Sequence, residues 1–237
     1  MTSSPPRIAI IGGMGPLASA AFVNTIYERS VDGPEQDAPP IVLWSDPSFP
    51  DRSRCLLEGD TDRLAAHLRE TVQRCERAGA ETMVICCVTA HAVVPLLPPA
   101  MQARIVSLVE VLLSAVIQQA RPLIVLSSLG TRGAGVLEAH PLWREASRWL
   151  RWPDRADQER MHHAIYRIKR NADVSTTVAL IDELIRKYHV DSFAAACTEL
   201  HIVHKVWAPR PAPVDPLDII ATRIAAASTH TSMAGGR

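Results

Sequence analysis

The sequence predicts an α/β protein made of two similar Rossmann-like lobes with parallel sheets. Short apolar runs alternate with amphipathic segments along the 237-residue chain, an order typical of a parallel sheet with helices on both faces. Each half also contains a glycine-containing turn after an early strand and a cysteine at the end of a later one. Matched motifs in matched order indicate a duplicated unit, whose two copies we expect to face each other across a pseudo-twofold axis.

The first half begins with a strand, a glycine-rich turn and a helix. The run "IAII" predicts the strand, and Pro16 opens the helix at a position where its missing N–H costs nothing. "PPIVLWSDP" predicts a second strand, and residues 62–81 have the periodicity of an amphipathic helix. "TMVICC" then predicts a buried strand that ends at Cys87, followed by a helix.

The second half repeats this scheme. "PLIVLSSLGTRGAGVLEA" predicts a strand, a glycine-containing turn and a helix. Residues 175–192 predict another amphipathic helix, and "FAAACTELHIV" contains a short strand that ends at Cys197. The second half therefore ends its last strand in the same way as the first.

The two predicted lobes are not contiguous in sequence. A proline-rich connection over residues 207–218 leads into an alanine-rich C-terminal helix, which we expect to return to the first lobe. We therefore assign residues 1–115 and 214–237 to the N-terminal lobe and residues 116–213 to the C-terminal lobe.

Composition limits the classes of function. Lysine plus arginine and aspartate plus glutamate both number 25, so the chain lacks the basic surplus of a nucleic-acid-binding protein. The N-terminus has no apolar signal-peptide core, and no apolar run approaches the roughly 18 to 20 residues that cross a bilayer. We therefore expect a cytoplasmic protein without nucleic-acid or membrane partners. The five cysteines lack zinc-type spacing, which indicates free thiols.

The first glycine turn formally matches a dinucleotide-binding pattern, GxGxxA, from Gly13 to Ala18. However, Pro16 stands where such a helix offers an N–H to the pyrophosphate, and the acid expected about 20 residues later is absent. A tight turn between strand and helix is the better interpretation of this segment.

Two cysteines at equivalent strand ends point to chemistry. In parallel sheets, ligands bind outside the carboxyl ends of the strands, where Cys87 and Cys197 are expected. A cysteine at the start of a helix lies near free N–H groups and the positive end of the helix dipole, which favour the thiolate. Two such groups facing one pocket are what a racemase needs, because one removes an α-proton and the other returns a proton to the opposite face.

Six motifs, in order and spacing, closely resemble a known family. "IGGMGP", "SDPSFPDR", "CVTAH", "GTRGAG", "DQERMHHAIYRIKR" and "CTEL" resemble the aspartate/glutamate racemase superfamily, nearest its aspartate or broad-specificity amino-acid racemase branch. The resemblance implies two α/β lobes with the active site in the cleft between them, Cys87 and Cys197 as the catalytic pair, and a homodimer. It also implies that no pyridoxal phosphate, metal or other cofactor is required.

The resemblance also assigns substrate-binding residues. Arg52 would hold the distal carboxylate of an acidic substrate, for which a planar guanidinium is suited, and Lys169 would assist. The threonines beside the cysteines would bind the α-carboxylate. The full substrate-binding set is Met14, Arg52, Val88, Thr89, Ser128, Thr131, Lys169, Thr198 and Glu199, with no metal ligand.

Three positions depart from the family pattern. Val88 replaces an asparagine whose amide would contact the polar α-groups of the substrate, Ala196 replaces a common glycine, and His201 replaces a common proline. His91, four residues after Cys87, either organises the site or satisfies a buried backbone group. Cys86 is expected to point into the core by strand alternation.

The leading hypothesis is a cofactor-independent racemase or epimerase of an acidic amino acid, with aspartate first, acting by proton transfer between two cysteines. A second hypothesis, favoured by Val88, is a biosynthetic isomerase, lyase or hydrolase in which a cysteine attacks a modified dicarboxylate or amino-acid derivative. A third is a binding protein that keeps the cleft without turnover.

Overall fold

A computed structural model describes residues 7–30, 34–207 and 211–235 of the chain. Its strands form two separate sheets, in which all paired strands are parallel. The first sheet has the order β2-β1-β3-β4, with β1 (Arg7–Gly12), β2 (Ile41–Ser45), β3 (Ala80–Ile85) and β4 (Ile105–Val106). The second has the order β6-β5-β7, with β5 (Leu123–Ser127), β6 (Leu150–Arg151) and β7 (Ser192–Ala196). The predicted α/β class with parallel sheets is confirmed.

Helices connect the strands. They are α1 (Pro16–Arg29), α2 (Arg52–Glu58), α3 (Thr61–Arg77), α4 (Pro99–Gln102), α5 (Leu108–Gln119), α6 (Leu129–Gly133), α7 (Trp143–Ala146), α8 (Arg155–Lys169), α9 (Ser175–Tyr188), α10 (Leu200–Val206) and α11 (Pro216–Gly235). Short 3-10 helices cover Glu35–Asp37, Thr89–Leu96 and Ser147–Trp149. Among these residues, no helix is both long and apolar enough to span a bilayer.

Side-chain caps fix the starts of the helices nearest to the strand ends. Asp51 accepts a hydrogen bond from the Arg54 amide at 2.8 Å and so starts α2. Ser128 accepts one from the Thr131 amide at 3.2 Å and so starts α6. Pro16 is the first residue of α1, as predicted. These caps set the entry direction of helices that carry polar residues beside the strand ends.

The segment after Cys87 differs from the prediction. A regular helix was expected there, but the chain forms the 3-10 helix Thr89–Leu96, which contains Pro95. Proline has no N–H to donate and clashes with the preceding turn, so it disfavours a continuous α-helix. Cys87 therefore does not lie at the start of the regular α-helix whose dipole was expected to favour its thiolate. Only charged neighbours are left to favour a thiolate at this position.

The buried core extends across both sheets. One cluster joins Val84 of β3, Leu112 of α5, Val125 of β5 and Leu217 of α11, all with no exposed surface. Helix α11 packs against α1 and α5. The predicted lobe boundary between residues 115 and 116 falls within α5, and the assignment of residues to lobes stays a prediction.

Candidate active site

The carboxyl ends of β3 and β7 open onto one small cavity that both Cys87 and Cys197 line. Both cysteines are 6% exposed, and both are free thiols. The complete lining is Arg52, Ser53, Cys87, Thr89, Ser128, Tyr166, Lys169, Cys197 and Glu199. The structure thus brings the two predicted catalytic residues to one enclosed site, together with five of the predicted substrate-binding residues.

Cys197 lies beside a buried ion pair. Its Sγ donates a hydrogen bond to Glu199 Oε2 at 2.9 Å, and Lys169 forms an ion pair with the other oxygen of Glu199. Burial raises the pKa of the Cys197 thiol well above its ordinary value of 9.0, and the charge of Glu199 raises it further. Cys197 is therefore held as the neutral thiol, the form that can give up a proton.

Lys169 and Arg52 converge on one backbone carbonyl. Lys169 Nζ donates to Met14 O at 2.8 Å, and Arg52 Nη2 donates to the same oxygen at 2.6 Å. Burial lowers the pKa of Lys169, but interactions with Glu199, Cys197 and Cys87 together outweigh burial, so the pKa is raised and the ammonium persists. Met14 therefore takes part through its main chain, because its side chain is buried in the core.

Arg52 is the cation that faces Cys87. Burial lowers its pKa, but interactions with Cys87, Asp51 and Glu199 together outweigh burial and raise it. The guanidinium also donates to Pro50 O at 3.0 Å, while its Nε is buried and has no hydrogen-bond partner among the described residues. One N–H of Arg52 is thus available for a bound carboxylate.

Hydroxyl groups form a connected cluster on another wall of the cavity. Thr89 Oγ1 lies 2.7 Å from Thr131 Oγ1 and 3.3 Å from Ser128 Oγ, and Ser53 Oγ lies 3.5 Å from Ser128 Oγ. Thr131 does not line the cavity and supports the other hydroxyls from behind. A cluster of this kind can donate to a carboxylate or accept from an ammonium group.

Two lining residues were not predicted from the sequence. Tyr166 donates to Asp51 Oδ2 at 2.8 Å, and burial raises the pKa of its phenol. It precedes Lys169 by three positions on α8, a spacing that places both on one helix face and could have identified it. Ser53 directly follows Arg52 and packs so closely on α6 that a Cβ at Gly130 would lie 2.4 Å from the Ser53 Cα.

Two predicted contacts do not reach the cavity. Val88 is 1% exposed and packs in the core cluster that contains Val84 and Leu112, whereas Cys87 packs in a different cluster. Thr198 Oγ1 donates to Cys86 O at 3.2 Å and does not line the cavity. Their assignment as substrate contacts stays a prediction, without a position in the cavity lining.

His91 satisfies backbone groups beside the site. Its Nε2 accepts from the Leu108 amide at 3.1 Å, so its Nδ1 carries the proton and donates to Cys87 O at 2.9 Å. Burial lowers its pKa, which keeps the ring neutral. His91 therefore fixes the backbone of Cys87 to the start of α5 and does not line the cavity. Cys86 is fully buried, and burial raises the pKa of its thiol.

The fold agrees with the comparison to known families. The Asp/Glu/Hydantoin racemase family model matches residues 11–227, so the chain belongs to that family, and the protein is a racemase of the isomerase class. The motif resemblance found in the sequence is thereby confirmed.

Solved structures show the same fold at low sequence identity. The Picrophilus torridus aspartate racemase matches with a TM-score of 0.80 and 22% identity over 94% of each chain. A putative Asp/Glu racemase from Yersinia pestis matches with a TM-score of 0.72 and 20% identity, over 94% of this chain and 99% of that one. Glutamate racemase from Campylobacter jejuni matches with a TM-score of 0.62 and 14% identity, over 93% and 85%. The described two-sheet architecture is therefore that of these racemases.

Proposed function

We propose that this protein racemises an acidic amino acid, aspartate first, by proton transfer between Cys87 and Cys197 without a cofactor. The observation that carries the proposal is that both thiols line one cavity and have electrostatically opposite neighbours. Cys87 faces the Arg52 cation, and Cys197 donates to the Glu199 carboxylate. One thiolate and one thiol form the proposed resting pair, and the raised pKa of Cys197 favours the thiol form at that position.

The proposed reaction is balanced in protons. The Cys87 thiolate removes the α-proton from one face of the substrate and becomes a thiol, and the substrate becomes a carbanion. Cys197 then gives its proton to the opposite face and becomes a thiolate. A proton exchanged from Cys87 to Cys197, by way of solvent, restores the resting pair.

The cavity contains positively charged side chains that can stabilise the developing carbanion. Lys169, next to the Cys197–Glu199 pair, and Arg52, next to Cys87, place one cation near each thiol. Both thiols are buried, and charges act more strongly on an anionic intermediate where solvent is excluded.

The substrate class follows from the same charges. An acidic amino acid carries a carboxylate that the unpartnered Nε of Arg52 can bind, and an α-carboxylate and ammonium that fit the cluster of Ser53, Thr89 and Ser128. The similar solved structures, an aspartate racemase among them, support the same substrate class.

The second hypothesis, a cysteine nucleophile acting on a modified dicarboxylate, drew its support from Val88. Because Val88 packs in the core, its presence gives no reason to expect an altered substrate at the cavity. The two-base racemase is therefore the function best supported.

The direct test is enantiomer analysis. Reduced protein is incubated with L-aspartate and separately with D-aspartate, and the two enantiomers are resolved by chiral chromatography. We expect each to approach the racemic mixture with the wild type and neither to change with Cys87→Ala or Cys197→Ala. Tight binding of both enantiomers without interconversion would instead identify a binding protein.

A further inference from the structure

Residues of α2, α6 and α8 line a second cavity, and none of its described lining residues lines the active-site cavity. Its volume of about 530 Å³ falls within the range of roughly 300 to 1,000 Å³ that small-molecule sites occupy. The lining consists of Leu57, Leu129, Arg132, Gly133, Arg155, Gln158 and Glu159. It combines apolar surface with a few polar side chains, as small-molecule sites usually do.

Gln158 has a buried oxygen atom that lacks a hydrogen-bond donor. Its Nε2 donates to Ser127 O at 2.7 Å, and because a carbonyl can only accept, this contact fixes the orientation of the amide. The residue is 1% exposed, and no described group donates to its Oε1. Buried polar atoms in folded proteins nearly always have a partner, so a donor on a ligand in the cavity would complete this amide.

Arg132 is the cation of this cavity that has no anionic partner among the described residues. Its Nη1 donates to Pro153 O at 2.7 Å, and its guanidinium carbon lies 5.1 Å from the centre of the Trp152 ring. Arg155, by contrast, forms an ion pair with Glu159 at 3.0 Å. The described lining therefore has one uncompensated positive charge, which suits a carboxylate.

Leu57 of α2 and Leu129 of α6 form the apolar wall of the cavity. Leu57 is 59% exposed, so a ligand that covers it removes apolar surface from water. The same side chain lies close to α6, because a Cβ at Gly133 would be 2.9 Å from Leu57 Cδ2. A ligand packed against this wall would therefore contact both helices.

We infer that this cavity binds a small α-amino acid with an apolar side chain of about the size of leucine. The carboxylate pairs with Arg132, and the ammonium donates to Gln158 Oε1. The apolar side chain packs against Leu57 and Leu129. An acidic side chain does not suit this site, because the second arginine of the lining is already paired with Glu159. This binding site goes beyond the proposed racemisation and does not depend on it.

The same three helices also form walls of the active site. Helix α2 begins at Arg52, α6 begins directly after Ser128, and α8 ends at Lys169, and all three residues line the active-site cavity. An amino acid in the second cavity would join these helices without occupying the place of the substrate. Its binding should therefore stabilise the folded protein.

The test uses L-leucine as the probe and isothermal titration calorimetry as the measurement. The protein is the full-length chain with Cys87→Ala and Cys197→Ala, so the result is independent of racemisation. We expect saturable binding of one L-leucine per chain and a higher melting temperature. 4-Methylpentanoate, which lacks the ammonium, and 3-methylbutylamine, which lacks the carboxylate, should each bind at least about 10-fold more weakly. Absence of saturable binding, or equal binding of the three compounds, would overturn the inference.

Matched variants in the same background locate the ligand. Arg132→Gln removes the charge that holds the carboxylate, and Leu57→Asp removes apolar wall and adds an anion. Each should weaken L-leucine binding by at least about 10-fold. Arg144→Gln and Leu96→Asp, at exposed positions outside the cavity, should bind as the parent does. Unchanged binding by Arg132→Gln and Leu57→Asp would overturn the inference. Loss of binding with Arg52→Lys would also overturn it, because leucine would then occupy the active site.

A second copy of the chain is another occupant that the experiment has to distinguish. Sedimentation velocity compares the parent protein with Leu57→Asp in the absence of leucine. We expect the same oligomeric state for both. A change of oligomeric state with Leu57→Asp would show that another chain covers this cavity, and the amino-acid site would be excluded.

Discussion

The Cys197 thiol donates a hydrogen bond to the Glu199 carboxylate, with Sγ 2.9 Å from Oε2. Lys169 holds the second oxygen of that carboxylate, so the anion next to Cys197 cannot turn away. The other thiol of the cavity, Cys87, faces the Arg52 cation. In the proposed mechanism these different neighbours suit Cys87 to act as a base and Cys197 to act as an acid.

Glu199→Gln should lower the pKa of Cys197, because the substitution removes a charge that raises it and leaves the Lys169 cation uncompensated. We expect racemisation to fall by about 10²- to 10⁴-fold, the range for losing a tuned acid or base. The pKa is measured from the pH dependence of alkylation by a small reagent in a Cys87→Ser background. Glu159→Gln on the rim of a separate surface cavity serves as the control. If the pH midpoint of Cys197 alkylation were unchanged or higher in Glu199→Gln, the role of Glu199 would be contradicted.

Arg52→Lys should weaken substrate binding although the charge is kept. The planar guanidinium contacts Met14 O and Pro50 O and still has a free Nε, a geometry that an ammonium cannot reproduce. Loss of a charged hydrogen bond corresponds to about 1.5 to 3 kcal/mol, or about 10- to 150-fold in kcat/KM for aspartate. Arg54→Lys, an exposed neighbour paired with Glu58, should have no effect. Equal kinetics for both variants would exclude Arg52 as the carboxylate anchor.

Gly15→Ala should reduce activity through Glu199. A Cβ at Gly15 would lie 2.2 Å from Glu199 Oε1, which would force the carboxylate away from Lys169 and Cys197. We expect a loss of kcat comparable to that of Glu199→Gln, measured in the same assay. Gly59→Asn is the control, because Gly59 has φ +80 and open space around its Cβ position, and asparagine tolerates that backbone region. Normal kinetics for Gly15→Ala would show that this carboxylate can move freely.

His91→Leu should destabilise the fold by about 1 to 3 kcal/mol, because the Leu108 amide and Cys87 carbonyl lose their buried partner. The loss should depend on pH. The folded-state pKa of His91 lies below its ordinary value of 6.5, so the unfolded chain binds a proton first and the contribution of His91 falls as pH drops below about 6.5. Urea unfolding at several pH values measures the difference between wild type and variant. A difference that stays constant or grows toward acidic pH would contradict the neutral ring, and exposed His163→Leu is the control.

The sequence predicted the strand ends well because their signals are local. An apolar run followed by a polar turn marks β3 and β7, and the carboxyl ends of parallel strands are where ligands bind. Cys87 and Cys197 could thus be expected at one site from the sequence alone. The resemblance to the family motifs identified Arg52 and Lys169 as candidate site residues. Without that resemblance, a single arginine on a loop or a single lysine on a helix would not indicate a site.

Packing decided what the sequence could not. Val88 packs in the core just before the 3-10 helix Thr89–Leu96, and periodicity does not reveal this local geometry. The contact between Ser53 and Ser128 joins two helices that are distant in sequence. The bond of Glu199 to Cys197 is local, but its orientation depends on Lys169 from α8. Such long-range relationships are set by tertiary structure alone.

The two-base mechanism is tested most directly by exchange of the α-proton of aspartate in D₂O. Proton NMR monitors this exchange with the wild type and with each single-cysteine variant. In the Cys197→Ala variant, the remaining Cys87 should exchange the α-proton of one enantiomer for deuterium without inverting that enantiomer. In the Cys87→Ala variant, the thiol of Cys197 stays protonated, so the α-proton of neither enantiomer should exchange quickly. The wild type should exchange and invert both. Exchange by Cys197→Ala that is equal for L- and D-aspartate, or inversion by either single variant, would contradict proton transfer between Cys87 and Cys197.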